Sequence, residues 1–289
     1  MSTNIVLIVI FASLIHAFWN LLVKKSSSPE LLLCLSKITE SVLFLGPFIY
    51  LFAQNPYTFV DLKWILGASV FVSLNYYFLA KSYKYLDMTI AYPITRCSTL
   101  FLPLIAYIFI GEKLNAYGYI AIGLVTIGVA TIQLRSYSLT EIDSYFNALK
   151  TKGFLYALLT ALTVAAYTVW DKVAISNMPS FQYFYSYTFL TSILLFTLNS
   201  RKFNVIEMVQ LFRQETGAIF LVAISNTVGY LLILYALSHS DASIVGTLRQ
   251  TSLVFGFILG YFWLSERVLV PRIVSLVLII AGSTLVSFI

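Results

Sequence analysis

Apolar runs of about 20 residues recur almost from one end of this 289-residue chain to the other. A run of that length fits a helix that crosses a hydrocarbon core about 30 Å thick. It does not fit the roughly ten-residue alternation of a membrane β-barrel. The chain is 60% hydrophobic and only 10% charged, whereas an ordinary soluble domain is roughly 25% charged. We therefore predict an all-α integral membrane protein.

Polar breaks divide the apolar sequence into ten predicted transmembrane helices, called spans 1 to 10 in chain order. They cover residues 4–23, 31–53, 64–83, 89–110, 116–134, 153–175, 181–199, 217–237, 242–264 and 271–288. The longest polar interruption separates five spans from five. We therefore predict a first five-helix repeat at 1–134, a cytoplasmic linker at 135–152 and a second five-helix repeat at 153–289.

The two halves resemble each other when the sequence is shifted by 154 residues. This shift places "DMTIAYPITR" at Asp87 on "DASIVGTLRQ" at Asp241, and "GEKL" at Gly111 on "SERV" at Ser265. An odd number of spans in each repeat makes the second repeat enter the membrane from the opposite side. The sequence therefore predicts two inverted halves, an architecture typical of alternating access.

The Lys and Arg residues are concentrated in the links that follow the odd-numbered spans. Those links hold twelve of them, the other links hold three, and neither tail holds any. The positive-inside rule then places the odd-numbered links in the cytoplasm and both termini on the non-cytoplasmic side. Because these cations lie between apolar runs, we read the net charge of +6 as a determinant of orientation and expect no nucleic-acid partner.

Several function classes lack the residues that they require. Cys34 and Cys97 both lie in apolar runs, which favours free buried thiols over a disulfide or a metal site. The sequence shows no phosphate-binding glycine loop, no cluster of metal ligands and no activated nucleophile. We expect no cofactor, no metal and no enzymatic activity. The first apolar run has no basic residue ahead of it, so we expect a retained helix and not a signal peptide.

The most specific motifs are "HAFWNLLVKK" at His16, "GEKL" followed by "GYIAIGLVTIGV" from Gly118, and "SERV" followed by "LVLIIAG" from Leu276. With these motifs the whole chain resembles the drug/metabolite transporter superfamily, as two copies of the EamA-type five-helix unit. "HAFWN", "AYPITR" and "GTLRQTS" are similar to one branch of that superfamily. The resemblance implies a transporter in a bacterial inner membrane, but not its substrate, because members move different solutes.

Two arginines lie at matched depth in matched spans. Arg96 is seven residues into span 4 and Arg249 seven into span 9, about 10 Å from each start at 1.5 Å per residue. In inverted halves they approach from opposite faces and meet in a central cavity, where they suit a carboxylate, phosphate or phosphonate. The alternatives are structural ion pairs with Glu40 or Asp171, or side chains that extend to the nearer interface.

Pro93 precedes the first arginine, and Pro103 follows it in the same span. A proline inside a helix frees a backbone carbonyl and bends the helix, which exposes polar groups to a ligand or to water. Span 9 has neither proline. We therefore expect a bend in span 4 and two halves that are not equal in function.

Other polar residues inside the spans are candidates for coupling or gating. Lys37 and Glu40, three residues apart in span 2, form either a self-neutralising pair or a proton-coupling site. His16 either titrates or packs with Trp19 and Asn20 in a cluster that joins helices through hydrogen bonds. Asp171, beside Lys172 near the end of span 6, is either an interfacial charge, which the sequence favours, or a gate residue.

Further residues complete the predicted substrate site or have a structural explanation. Tyr76 and Tyr230 coincide under the 154-residue shift, and we expect them to line the cavity with Tyr92, Trp19, Asn20 and Gln250. The glycines of span 5 indicate close helix packing; they are Gly118, Gly123 and Gly128. Glu112 and Glu266 end their spans and indicate ion pairs or contacts with helix termini.

Taken together, these features predict a secondary transporter for a small metabolite with an anionic group, either an amino acid or another carboxylated solute. The alternatives are a solute with a phosphate or phosphonate group, and a flippase that holds a lipid headgroup. The expected partners are the small-molecule substrate, the lipid bilayer and a coupling proton, in a monomer or homodimer.

Overall fold

The computed structural model describes residues 2–86, 88–132, 134, 136, 138, 143, 147, 150–264 and 269–289. All regular structure within these residues is helical. The first half contains α1 (Thr3–Lys25), α2 (Pro29–Leu43), α3 (Leu45–Gln54), α4 (Asp61–Tyr85), α5 (Met88–Arg96), α6 (Ser98–Ile110) and α7 (Ala116–Thr131). The second half contains α8 (Lys152–Ile175), α9 (Ser180–Asn199), α10 (Val205–Gln214), α11 (Thr216–His239), α12 (Ala242–Leu248), α13 (Thr251–Leu264) and α14 (Val270–Ser287).

Seven segments of the described chain are long and apolar enough to cross a membrane, and an eighth is the pair α2–α3, which bends by 44°. The seven are Thr3–Lys25, Asp61–Tyr85, Ile90–Ile110, Lys152–Ile175, Thr216–His239, Ala242–Trp263 and Val270–Ser287. Predicted span 5 coincides with α7, which has 16 residues, and span 7 with α9, which has 20. The total of ten spans stays a prediction.

Long helices of the first half pack against long helices of the second half. α4 lies along α8, and α1 lies along α11. The 154-residue shift places α4 on α11 and approximately places α1 on α8, so it converts one of these helix pairs into the other. The same pseudo-twofold relation therefore holds in the sequence and in the packing.

Two glycines at the seam between α7 and α14 show this relation at the level of single atoms. A Cβ on Gly128 would lie 2.6 Å from the carbonyl oxygen of Ser275, and a Cβ on Gly282 would lie 2.6 Å from that of Ala121. The 154-residue shift exchanges these two contacts. Glycine is required at both positions because any side chain would separate the helices.

The other two glycines of span 5 differ from the prediction. A Cβ on Gly123 would meet nothing within 4 Å in the described structure, so its predicted packing role is wrong. A Cβ on Gly118 would meet the side chain of Leu114, which precedes α7 in the chain, and the side chain of Ile289 at 3.6 Å. The small residues of this helix therefore mark one close approach, at Gly128.

Spans 4 and 9 are both interrupted near their midpoints. α5 ends at Arg96, and α6 begins at Ser98 after Cys97. α12 ends at Leu248, and α13 begins at Thr251 after Arg249 and Gln250. The turn in span 9 is tightened to i→i+3 hydrogen bonds from Gln250 N to Thr247 O (3.1 Å) and from Leu253 N to Gln250 O (2.9 Å). Both predicted substrate arginines therefore lie at a helix break.

Glu112, from the "GEKL" motif, contacts a helix terminus as predicted, but the helix belongs to the other half. Gly111 ends α6 in the left-handed conformation (φ 68°), which turns the chain towards α12. The carboxylate of Glu112 accepts hydrogen bonds from Ala242 N (2.8 Å) and Ser243 N (2.9 Å). It thereby satisfies two free N–H groups at the start of α12. Its predicted counterpart, Glu266, lies outside the described residues.

The buried core follows the contacts between the halves. Its main cluster joins α1, α4, α8, α11 and α12 through small and aliphatic side chains such as Val9, Ala68, Ala165, Leu234 and Val245. A second cluster, around Leu32 and Ile219, lies where α2 and α10 meet α11. Both cysteines are free thiols, and Cys34 is buried. Several residues of the main cluster, among them Ala12, Leu102 and Ala165, line the cavity described next.

Candidate functional site

A cavity of about 340 Å³ lies between the two halves, beside both helix breaks. All eight residues predicted to bind substrate line it, namely Trp19, Asn20, Tyr76, Tyr92, Arg96, Tyr230, Arg249 and Gln250. Two of the four predicted coupling or gating residues, His16 and Lys37, line it as well. The fold therefore brings residues from distant parts of the sequence to one place.

Each arginine rests on the face of a tyrosine. The guanidinium of Arg96 lies 5.1 Å from the ring centre of Tyr92, and that of Arg249 lies 5.6 Å from the ring centre of Tyr230. These distances are typical of cation–π contacts. Neither arginine is in an ion pair with a carboxylate of the described residues. The structural ion pairs that the sequence left open are therefore not formed there.

The two arginines act on the same part of the cavity. His16 and Tyr167 each interact electrostatically with both guanidinium groups. Both arginines line the cavity, so neither extends away to the membrane surface. Two cations that line one cavity repel each other, and an anion bound between them would offset that repulsion.

Lys37 and Glu40 form the pair that their spacing suggests, with 2.8 Å between the ammonium nitrogen and Oε2. Glu40 is 2% exposed. Its Oε1 also accepts hydrogen bonds from Asn226 (3.0 Å) and Thr227 (2.7 Å) of α11. The pair therefore ties α2 to the second half, and a proton-coupling role for Glu40 stays a prediction.

Asp171 lies in the interior of the bundle and is 1% exposed. Its Oδ1 accepts the hydroxyl of Tyr183 (2.5 Å), and its Oδ2 accepts the hydroxyl of Tyr230. Lys172 donates instead to the carbonyl of Ser240 (2.7 Å). The favoured interpretation of Asp171 as an interfacial charge is therefore wrong. Asp171 holds Tyr230, the ring on which Arg249 rests.

His16, Trp19 and Asn20 form the packed cluster that the sequence offered as one alternative. The rings of His16 and Trp19 meet edge-on, with 4.8 Å between their centres. Asn20 Nδ2 donates to the carbonyl of His16 at 2.6 Å. This bond lies within α1, so it does not join two helices, contrary to the prediction. A titrating role for His16 stays a prediction.

Sequence reasoning missed several polar residues that line the cavity, among them Asn75, Tyr83, Tyr167, Tyr187 and Asn226. Tyrosine gives little signal in a chain that is 16% aromatic. The two asparagines were detectable, because an amide inside an apolar span is costly unless it finds partners. Asn75 donates to the carbonyl of Thr160 (3.2 Å), and Asn226 donates to Glu40.

The fold and the cavity define a class: a bundle of apolar helices in two halves that pack against each other, with partly buried cations around a space of small-solute size. The sequence model of the EamA-like transporter family matches residues 3–134 and 151–288. The chain belongs to the EamA-like transporter family. It is a multi-pass integral membrane protein and a transporter of small solutes of the drug/metabolite transporter type.

Comparison with solved structures agrees on the fold. A crystal structure with 14% sequence identity aligns with a TM-score of 0.70 over 99% of this chain and 99% of the other. At that identity the likeness supports the fold alone. No curated protein matches the chain by sequence.

Proposed function

We propose that this protein is a secondary transporter that moves a small metabolite with an anionic group by alternating access. The observation that carries the proposal is the pair Arg96 and Arg249, two guanidinium groups at helix breaks beside one cavity, without an ion pair among the described carboxylates. A buried cation is costly unless a counter-charge reaches it. A passing anion supplies that charge in each transport cycle.

The helix breaks support alternating access in addition to binding. Transporters with repeated halves place their substrate at broken helices between the repeats, and the halves rock around it. Here both breaks lie beside the cavity, and helices of one half pack against helices of the other around it. Movement of one half against the other would expose the arginines to each side of the membrane in turn.

The test compares Arg96→Ala with wild type in a thermal-shift screen of amino acids, organic phosphates and phosphonates, followed by uptake into proteoliposomes. We expect ligands that stabilise wild type to lose this effect in the variant and uptake to stop. Arg213→Ala is the matched control, because this arginine is exposed in the last turn of α10. Uptake by Arg96→Ala at the wild-type rate would contradict the proposal.

The distribution of cations supports a proposed orientation. With twelve Lys and Arg in the links after odd-numbered spans and three in the others, we propose cytoplasmic odd-numbered links and non-cytoplasmic termini in a bacterial inner membrane. Single cysteines introduced at the termini would be labelled from outside intact cells by a membrane-impermeant maleimide. Labelling only after cell disruption would reverse the orientation.

A further inference from the structure

The cavity has an unbalanced set of charged side chains. Among the described residues that line it, Lys37, Arg96 and Arg249 are cationic, and none is Asp or Glu. Lys37 is neutralised by Glu40. The two guanidinium groups therefore give the cavity its character, and an anion is the complementary ligand.

The two nearest carboxylates are not available to a ligand cation. Glu40 already accepts hydrogen bonds from Lys37, Asn226 and Thr227. Asp171 accepts hydrogen bonds from two tyrosine hydroxyls. Both carboxylates are buried, and neither lines the cavity. A solute with an ammonium group would find no carboxylate among the described lining residues.

Aromatic faces are the other usual partners of an ammonium group. The protein's own cations occupy three of them, and Tyr83 and Tyr167, which also line the cavity, lie within electrostatic reach of Arg96. Arg96 lies over Tyr92, Arg249 over Tyr230, and Lys37 lies 5.9 Å from the ring centre of Phe184. Trp19 is engaged edge-on by His16. The remaining polar lining consists mainly of tyrosine, threonine and amide groups, which suit a neutral hydrogen-bonding body.

On this basis we infer, as a refinement that rests on the proposed function, that the solute carries its oxyanion on a neutral body without an ammonium group. An α-amino acid holds its ammonium only two bonds from its carboxylate carbon, so the carboxylate cannot reach the arginines without bringing the ammonium close to them. Like charges in a poorly hydrated site repel strongly. The site therefore selects an organic acid, phosphate or phosphonate against its amino-bearing analogue.

The experiment uses pairs of probes that differ by one amino group: propionate and alanine, succinate and aspartate, ethyl phosphate and O-phosphoethanolamine. Binding to the purified full chain is measured by calorimetry and thermal shift. We expect the member without the amino group to bind at least about tenfold more tightly, which corresponds to about 1.4 kcal/mol. The pair with the tightest binding identifies the oxyanion as carboxylate or phosphate.

Two outcomes separate this inference from the proposed function. If the amino-bearing members bind as tightly as their partners and still require Arg96, the inference is wrong while the anion site stands. If no probe binds, or if binding is unchanged in Arg96→Ala, the proposed function is wrong and the inference with it.

A gain-of-function variant keeps the inference testable where wild-type binding is weak. Gln250→Glu adds a carboxylate to the lining beside Arg249, at a position 8% exposed. We expect it to shift the binding ratio of each pair at least about tenfold towards the amino-bearing member. Size-exclusion chromatography reports whether the variant is folded, and Gln250→Met serves as the control without charge. An unchanged ratio in a folded Gln250→Glu protein would contradict the inference.

Discussion

The two helix breaks occupy equivalent places in the two halves, yet they are supported differently. Arg96 ends α5, three residues after Pro93, and its guanidinium rests on Tyr92 from the same helix. Arg249 follows a helix without proline and rests on Tyr230 of α11, whose hydroxyl is held by Asp171. The first arginine is therefore held from within its own helix, whereas the second is held by contacts with two other helices, α11 and α8.

This difference concerns charge as well as geometry. Asp171 interacts electrostatically with Arg249 and accepts the hydroxyl of Tyr230, the ring on which Arg249 rests. Arg96 has no comparable carboxylate behind its tyrosine among the described residues. An anion in the cavity therefore meets a stronger positive potential at Arg96 than at Arg249. We infer that Arg96 is the main anchor for an anion and that Arg249 contributes less to anion binding.

The largest expected effect comes from comparing Arg96→Gln with Arg249→Gln. A hydrogen bond to a charged group contributes about 1.5–3 kcal/mol, so losing the main anchor should weaken anion binding about 100-fold. We expect about tenfold for Arg249→Gln, because Asp171 already offsets part of its charge. Calorimetry with the best oxyanion probe measures both dissociation constants. Equal losses would remove the proposed asymmetry between the breaks.

A smaller effect is expected at the cap that the first half supplies to the second break. Glu112→Ala leaves two N–H groups of α12 without acceptors, which should lower the free energy of unfolding by about 1–2 kcal/mol. Glu207→Ala is the matched control, because Glu207 belongs to a capping box within the exposed helix α10. A thermal melt of each purified variant checks the prediction. Equal melting shifts would show that the contact between halves adds nothing beyond a cap.

The third prediction tests whether Asp171 offsets Arg249. Asp171→Asn removes the negative charge but keeps polar atoms for Tyr183 and Tyr230. We expect anion affinity to rise about threefold, or about 0.7 kcal/mol. In the Arg249→Gln background the same change should have less than about a twofold effect, because there is no guanidinium left to offset. A fall in affinity in both backgrounds would show that Asp171 acts only by positioning Tyr230.

Much of this architecture was predictable from the sequence, because lipid imposes simple rules on composition and length. The apolar runs predicted the helices, and the 154-residue shift places Gly128 on Gly282, its equivalent in the second half. The matched depth of Arg96 and Arg249 predicted that they share one cavity. Each of these inferences depends on spacing along one chain. The number of membrane crossings and the direction of the termini stay predictions.

The support around the site was not predictable, because it depends on which helices meet. Asp171 was interpreted from its neighbour Lys172, yet its partners Tyr183 and Tyr230 are 12 and 59 residues away. Glu112 was predicted to form an ion pair or to contact a helix terminus, but the sequence did not identify that terminus, which lies 130 residues further along the chain. Contacts of this kind leave no periodic signal in one sequence.

The two breaks also show what the proline contributes, and this gives the smallest expected effect. Pro93 predicted a bend in span 4, and the absence of proline predicted that span 9 would differ from it. Span 9 is nevertheless interrupted at the equivalent level without proline. A turn of i→i+3 hydrogen bonds, together with the bond from Thr251 Oγ1 to Leu248 O (2.7 Å), is sufficient there. We therefore expect Pro93→Ala to keep the break.

Anion affinity in Pro93→Ala should change by less than about twofold, which is below about 0.4 kcal/mol. The physical reason is that Arg96 is held over Tyr92 from within α5, and that contact does not involve the proline ring. Pro103→Ala is the control within the same span, because Pro103 lies inside α6, beyond the break. A tenfold loss of anion affinity in Pro93→Ala but not in Pro103→Ala would contradict this prediction. It would mean that the first break, unlike the second, requires its proline.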